Sequence, residues 1–207
     1  MEATLQKGVE MSRVGKTILN IPTGVTVEYG GGVVVVSGAK GTLTQEIKQP
    51  ITVVVEGNTV RVERGNDQGQ GRALHGLYNR LIQNMITGVS QGFVRTLILN
   101  GVGYKATLKG ADLALNLGYS HPSEVKAVPG ISFKVCTPQE IATLNLGKEG
   151  IGQVVQVMGI SKEKVGAVAS QIRGLRPVEP YHLYGIRYSD ERVRRKESKS
   201  GAKGKKK

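Results

Sequence analysis

The residues best suited to chemistry crowd toward one end of the chain. Residues 173–188 hold Arg173, Arg176 and Arg187, three of the seven tyrosines (Tyr181, Tyr184, Tyr188), His182 and two prolines, and a run with Arg192, Arg194, Arg195 and Lys196 follows. Guanidinium groups fork onto phosphate oxygens, tyrosine rings stack on ribose or base, and proline keeps a backbone extended at low entropic cost. Two readings stand: an RNA-gripping segment, or a surface loop whose tyrosines pack on their own domain. The basic run behind it favours the first.

Catalytic chemistry finds less support. Val14-Gly15-Lys16-Thr17 looks like the end of a phosphate-binding loop, but Glu10 occupies the position where that motif needs its first glycine. The stretch after Thr17, Ile18-Leu19-Asn20-Ile21-Pro22, also would not sustain the helix the motif requires. Gly101-Val102-Gly103 lacks the third glycine of a dinucleotide fingerprint, because Ala106 stands there. His75, His121 and His182 have no serine or cysteine nearby in a nucleophile pattern, and a single cysteine, Cys136, supports neither an intrachain disulfide nor a Cys/His metal set. No catalytic residue, metal, cofactor or small-molecule substrate is therefore expected.

The 207 residues carry 29 Lys and Arg against 16 Asp and Glu, a net charge of +13. It divides as +2 over residues 1–92, +5 over 93–189 and +6 over 190–207. Such a gradient implies a polyanionic partner held by one end, either nucleic acid or an anionic membrane surface. The longest apolar runs, such as residues 33–36 and 53–55, fall far short of the roughly 18 residues of a membrane span, and residues 1–11 do not form a secretory leader. A cytoplasmic protein is expected.

The elements that must position these residues can be read from periodicity. Residues 24–63 read as short β-branched strands, with Val60 and Val62 alternating against Arg61 and Glu63, between turn signals at Gly30-Gly31-Gly32, Gly38-Ala39-Lys40-Gly41 and Glu56-Gly57-Asn58, which predicts antiparallel hairpins. From Arg72 the period changes. Leu74, Leu77, Tyr78, Leu81, Ile82, Met85 and Val89 form a helical stripe, with His75 and Asn79 on the solvent face, Asn66 and Asp67 as caps and Gly88 as the stop. Residues 93–157 repeat the strand pattern, and a second helix begins at Ser161 with Val165, Val168, Ala169, Ile172 and Leu175 inward. Periodicity ends after Pro177. The expectation is an α+β chain of two tandem similar domains, each an antiparallel β-sheet covered by one α-helix, plus a basic C-terminal tail. Its boundaries fall as an N-terminal extension at 1–11, domains at 12–92 and 93–189, and a disordered tail at 190–207.

Gly101-Val102-Gly103-Tyr104-Lys105, Leu117-Gly118-Tyr119-Ser120-His121-Pro122 and Gly185-Ile186-Arg187-Tyr188, in that order, resemble the bacterial large-subunit ribosomal protein L six family, as does the start at Met11-Ser12-Arg13-Val14-Gly15-Lys16. The resemblance runs from about residue 11 to 196. It implies two similar sheet-and-helix domains, of which the second, with the C-terminal segment, binds large-subunit ribosomal RNA near the sarcin-ricin loop and the factor-binding centre, beside proteins at the stalk base. It also implies contact residues at Arg173, Arg176, Tyr181, Arg187 and Tyr188, with Lys105 and His121 as further candidates beside His182, Tyr184 and the tail cations. Three departures stand out. His182 and Tyr184 sit where many members have lysine, residues 142–153 read as an inserted loop, and residues 1–10 precede the customary start, as an extension or an early start codon.

Overall fold

The computed structural model describes residues 14–65, 69–144 and 152–197, and the chain divides after Gly92 into two compact units. The first contains β1 (Leu19–Asn20), β2 (Thr26–Gly30), β3 (Val33–Gly38), β4 (Gly41–Glu46), β5 (Ile51–Glu56), β6 (Thr59–Arg64) and α1 (Gly69–Ser90). Its strands form two antiparallel sheets, ordered β1-β6-β5 and β2-β3-β4. Gly31 (φ 60°) and Gly32 (φ 79°) lie between paired Gly30 and Val33, so a two-residue turn with both central residues at positive φ closes the first hairpin. Alternate valines then face inward. Val34, Val36, Val60 and Val62 are buried with Ile82 and Val89 of α1, while Arg61 and Glu63 are exposed.

The helix departs from the expected stripe. Leu77 is 51% exposed, whereas His75 and Asn79 are 5% and 1% exposed. Backbone carbonyls that need donors explain the shift: His75 Nε2 donates to Val62 O at 2.8 Å, and Asn79 Nδ2 donates to Gly15 O and Thr17 O, each at 2.9 Å. Leaving the two buried carbonyls, of Val62 and Gly15, bare would cost about 1–3 kcal/mol each, against about 1.5–3 kcal/mol for burying one leucine, so the polar pair takes the inner face. A Cβ on Gly15 would stand 2.4 Å from His75 Nδ1, so the glycine of the phosphate-loop lookalike serves packing. Gly88 is buried inside the helix and does not stop it. The end comes at Ser90, closed by Gly92 (φ 80°), whose N–H meets Thr87 O at 3.2 Å. The expected caps Asn66 and Asp67, the extension at 1–11 and the start motif at Met11-Ser12-Arg13 lie outside the described residues.

The second unit contains β7 (Phe93–Asn100), β8 (Lys105–Lys109), β9 (Asp112–Asn116), β10 (Ser123–Val125), β11 (Ile131–Val135), α2 (Pro138–Thr143), β12 (Gln153–Gly159), α3 (Lys162–Leu175) and β13 (Gly185–Tyr188). Its topology repeats the first element by element. The order β11-β12-β7 matches β5-β6-β1, and β10-β9-β8 matches β4-β3-β2. Two tandem similar α+β units are present, with two sheets in each beside the long helix where one was expected. Ser161 caps α3, accepting the Lys164 N–H at its Oγ, and Val165, Val168, Ala169 and Ile172 pack on Leu97, Leu99, Val155 and Val157.

Two elements belong to this unit alone. In α2, which reaches the first residues of the expected 142–153 loop, Thr137 and Glu140 form a reciprocal capping box, and Ile141 and Leu144 cover Ile98, Cys136 and Val154. Residues 145–151 of the expected insertion lie outside the described residues. The other addition, β13, pairs antiparallel with β7 from Gly185↔Asn100 to Tyr188↔Leu97, and Ile186 is fully buried. Four residues are too few to show a strand's alternation, so a strand past Pro177 was not legible. Among the described residues no helix is long and apolar enough to cross a membrane.

Candidate nucleic-acid interface

The C-terminal segment is built by a series of backbone anchors. α3 ends at Leu175, and Pro177 follows the cap residue Arg176, so the chain must turn. Between residues 179 and 184 it forms a closed knuckle: Glu179 N–H donates to Tyr184 O at 2.8 Å and Leu183 N–H to Glu179 O at 3.0 Å. The Glu179 carboxylate accepts the N–H groups of His182 (3.0 Å) and Tyr181 (3.3 Å), which hold it below the ordinary carboxylate range. Asn100 Nδ2 donates to Leu183 O at 2.9 Å. Gly185 (φ 139°) then lets the chain pass Pro177, whose carbonyl oxygen a Cβ would approach to 2.6 Å.

Beyond β13 the chain stays attached. Ser189 N–H reaches Thr96 O at 3.1 Å, Arg195 Nε donates to Tyr181 O at 3.2 Å, and Lys196 N–H donates to Pro180 O at 3.0 Å. Residues 190–197, expected as the start of a disordered tail, are tied back to the knuckle without forming helix or strand. Residues 198–207 lie outside the described residues.

These anchors gather six of the thirteen candidates around one open groove of about 1310 Å³. Among the described residues its lining is His182, Arg187, Arg192, Arg194, Arg195 and Lys196 with Asn100, Leu183 and Val193, and none of these is a carboxylate. Arg187 reaches it because its β13 neighbour Ile186 pairs with Leu99 on the core face, which turns Arg187, opposite Ile98, to the other face of the sheet. Tyr181 and Tyr184 stand on the knuckle beside the groove, 45% and 43% exposed.

The remaining candidates fall elsewhere. Arg173 Nε and Nη2 donate to Glu191 at 2.9 and 2.5 Å, and the Tyr188 ring lies under two guanidinium groups, Arg95 at 4.4 Å and Arg173 at 5.7 Å. Arg95 also pairs with Asp190 at 3.1 Å, so two carboxylates balance two arginines there. Arg173 holds the Glu191 carboxyl below its ordinary range. Arg176 lies 4.7 Å over the Tyr119 ring, whose hydroxyl donates to Leu175 O at 3.1 Å. The two glycine-tyrosine motifs meet at this point, since a Cβ on Gly101 or Gly118 would stand 2.7 or 3.5 Å from the Tyr104 ring. Lys105 and His121 are exposed on β8 and on the loop after β9, outside the groove lining.

Sequence reasoning missed Asn100, Glu179, Asp190 and Glu191, which place the cations rather than add to them. Acidic residues inside a basic stretch were the available signal. Cys136 is 6% exposed, and burial pushes its thiol upward. Among the described residues no three His, Cys, Asp or Glu cluster as a metal site.

The fold and this face define a class: a duplicated α+β scaffold that presents a cationic groove at the end of its second unit. Comparison with known proteins gives the family. Residues 21–92 and 100–189 match the family model described as ribosomal protein L6. The large ribosomal subunit protein uL6 of Staphylococcus epidermidis is 49% identical over 191 residues, covering 92% of this chain and 99% of that protein. The protein of the same description from Staphylococcus aureus is 50% identical over the same shares. The chain belongs to the ribosomal protein L6 family.

Proposed function

We propose that the protein is a structural constituent of the large ribosomal subunit that docks on large-subunit ribosomal RNA near the sarcin-ricin loop and the factor-binding centre. Proteins of the stalk base would lie alongside, and the site of action is the cytoplasm. The observation that carries the reading is the groove, which concentrates five permanent cations and His182 with no carboxylate among the described residues of its lining. Each phosphate neutralised there releases counterions, so docking is electrostatic first and shape-specific second. Residues 12–92 act as the scaffold domain, residues 93–189 as the docking domain, and residues 190–197 extend its basic rim. Arg173 and Tyr188 position that rim through Glu191, while Arg176 with Tyr119, and Lys105 and His121, form an outlying contact area.

Sedimentation of cell extract at raised salt tests this. The protein is expected to travel with large subunits and to resist washing, whereas a chain left at the top of the gradient would be a free-standing RNA-binding module or RNA chaperone instead. Removing residues 192–207 should lower the salt slope of RNA binding by a few units, because nucleic-acid binding loses about 0.7–0.9 of a unit per phosphate contact. An unchanged slope would show that those cations touch no phosphate.

A further inference from the structure

The knuckle at residues 179–184 is more rigid than a connection requires. Its backbone is closed on itself by Glu179 and Tyr184, its N–H groups are held by the Glu179 carboxylate, and Asn100 pins it to β7. Leu183 adopts φ 62°, a left-handed conformation that is costly for a side chain of this size and persists only where surroundings impose it. What this construction presents is aromatic and outward. The His182 and Tyr184 rings stack with centroids 5.6 Å apart and planes 17° from parallel, the His182 side chain is 68% exposed, and Tyr181 and Tyr184 are 45% and 43% exposed. None of the three rings belongs to a hydrophobic core.

Exposed stacked rings beside a trough of cations combine the two features that hold an unpaired nucleotide, a π surface for the base and charge for its backbone. Phosphates alone need no ring. We infer that the His182–Tyr184 pair is a stacking platform for one unpaired base, so that the groove takes RNA with a bulged or looped-out nucleotide in preference to continuous duplex. The inference rests on the RNA-docking reading above and names the feature of the RNA that this face selects.

The test uses the full chain and two RNA hairpins of equal length, one fully paired and one with a single bulged 2-aminopurine. The bulged RNA is expected to bind roughly tenfold more tightly, the usual worth of one base–aromatic stack, with a change in 2-aminopurine fluorescence. His182→Ala with Tyr184→Ala should erase that preference while binding of both RNAs stays salt-dependent, whereas Tyr184→Phe should retain it. Arg194→Ala with Lys196→Ala should weaken both RNAs alike and lower the slope. Equal, salt-dependent binding of the two hairpins by the unaltered protein would overturn the platform while leaving RNA docking in place. Absence of salt-dependent binding to either would overturn both. Loss of the preference in Tyr184→Phe would show a hydroxyl contact in place of stacking.

Discussion

Replacing Glu191 by glutamine separates the charge of the C-terminal segment from its placement. The Glu191 carboxylate accepts Arg173 Nε at 2.9 Å, Arg173 Nη2 at 2.5 Å and the Tyr188 N–H at 3.2 Å, and its side chain is 25% exposed. These bonds fix the point from which residues 192–196 leave the sheet. Glutamine keeps the shape, but it loses the charge and one acceptor oxygen. Hydrogen bonds to charged groups contribute about 1.5–3 kcal/mol and exposed ion pairs about 0–1, so this quarter-exposed fork falls near 1–2 kcal/mol. Affinity for RNA is then pulled both ways. One negative charge fewer, screened over about 8 Å, strengthens phosphate binding by a few tenths of a kcal/mol. Loosening the root opposes this by up to about 1–2 kcal/mol, a factor of roughly 5–30. Placement wins, and Glu191→Gln should bind labelled large-subunit RNA about fivefold or more weakly by fluorescence anisotropy, although it makes the protein more basic. Trypsin cleavage after Arg192, Arg194 and Arg195 reports the same opening without RNA and should quicken by a similar factor. Tighter binding with an unchanged cleavage rate would refute the reasoning.

Three further outcomes are expected. Asn79→Ala leaves the buried Gly15 carbonyl and the part-buried Thr17 carbonyl without the Asn79 donor and should destabilise the first unit by about 2 kcal/mol, seen in calorimetry as a melting point lower by roughly 8–16 °C. Gly185→Ala places a Cβ at φ 139° within 2.6 Å of Pro177 O, so β13 should detach, and hydrogen exchange at Ile186 should rise by at least tenfold. Glu179 and Glu191 both have carboxyls held below their ordinary value of 4.5, by N–H groups and by Arg173 respectively. Their contribution is therefore fully present above about pH 4.5 and disappears as pH falls through the depressed values; the melting temperature should drop there, less steeply in Glu191→Gln.

How far the sequence could be read depends on element length and on what closes each face. The β-branched run of β3, the alternation of β6 and the α3 stripe were legible because each shows its pattern within its own residues. The inner face of α1 was misplaced because apolarity alone was used to choose it. The deciding terms were carbonyls of Gly15, Thr17 and Val62, distant in sequence, that required His75 and Asn79 as donors. In α2 the signal was present and unread, since Thr137-Pro138-Gln139-Glu140 combines an N-cap, a proline in the first turn and a capping-box glutamate. For the groove, the residue types were plain from composition, but their convergence was not. It depends on the left-handed Leu183, on the Asn100 anchor and on Glu191, none of which has a local pattern.

Duplication also explains why the groove forms on the second unit. Among the described residues β1 has two residues and pairs only with β6, whereas its counterpart β7 has eight and pairs with both β12 and β13. A strand of that length beside β12 leaves a second ladder edge along Leu97–Asn100, and an open edge takes up any strand that can reach it. Leu97, Ile98 and Leu99 are all fully buried, the mark of a strand covered on both faces, and β13 completes it on the free edge. Because the chain continues from β13 straight into residues 190–197, closing that edge also carries Arg187 and the following cations to one side of the sheet. The same residues on an untethered tail would carry equal charge, yet ordering each would cost about 1–2 kcal/mol of backbone entropy at the moment of binding. On the docking reading proposed above, charge would bring RNA to this end of the second unit, and the length of β7 decides that the charge is already in place when it arrives.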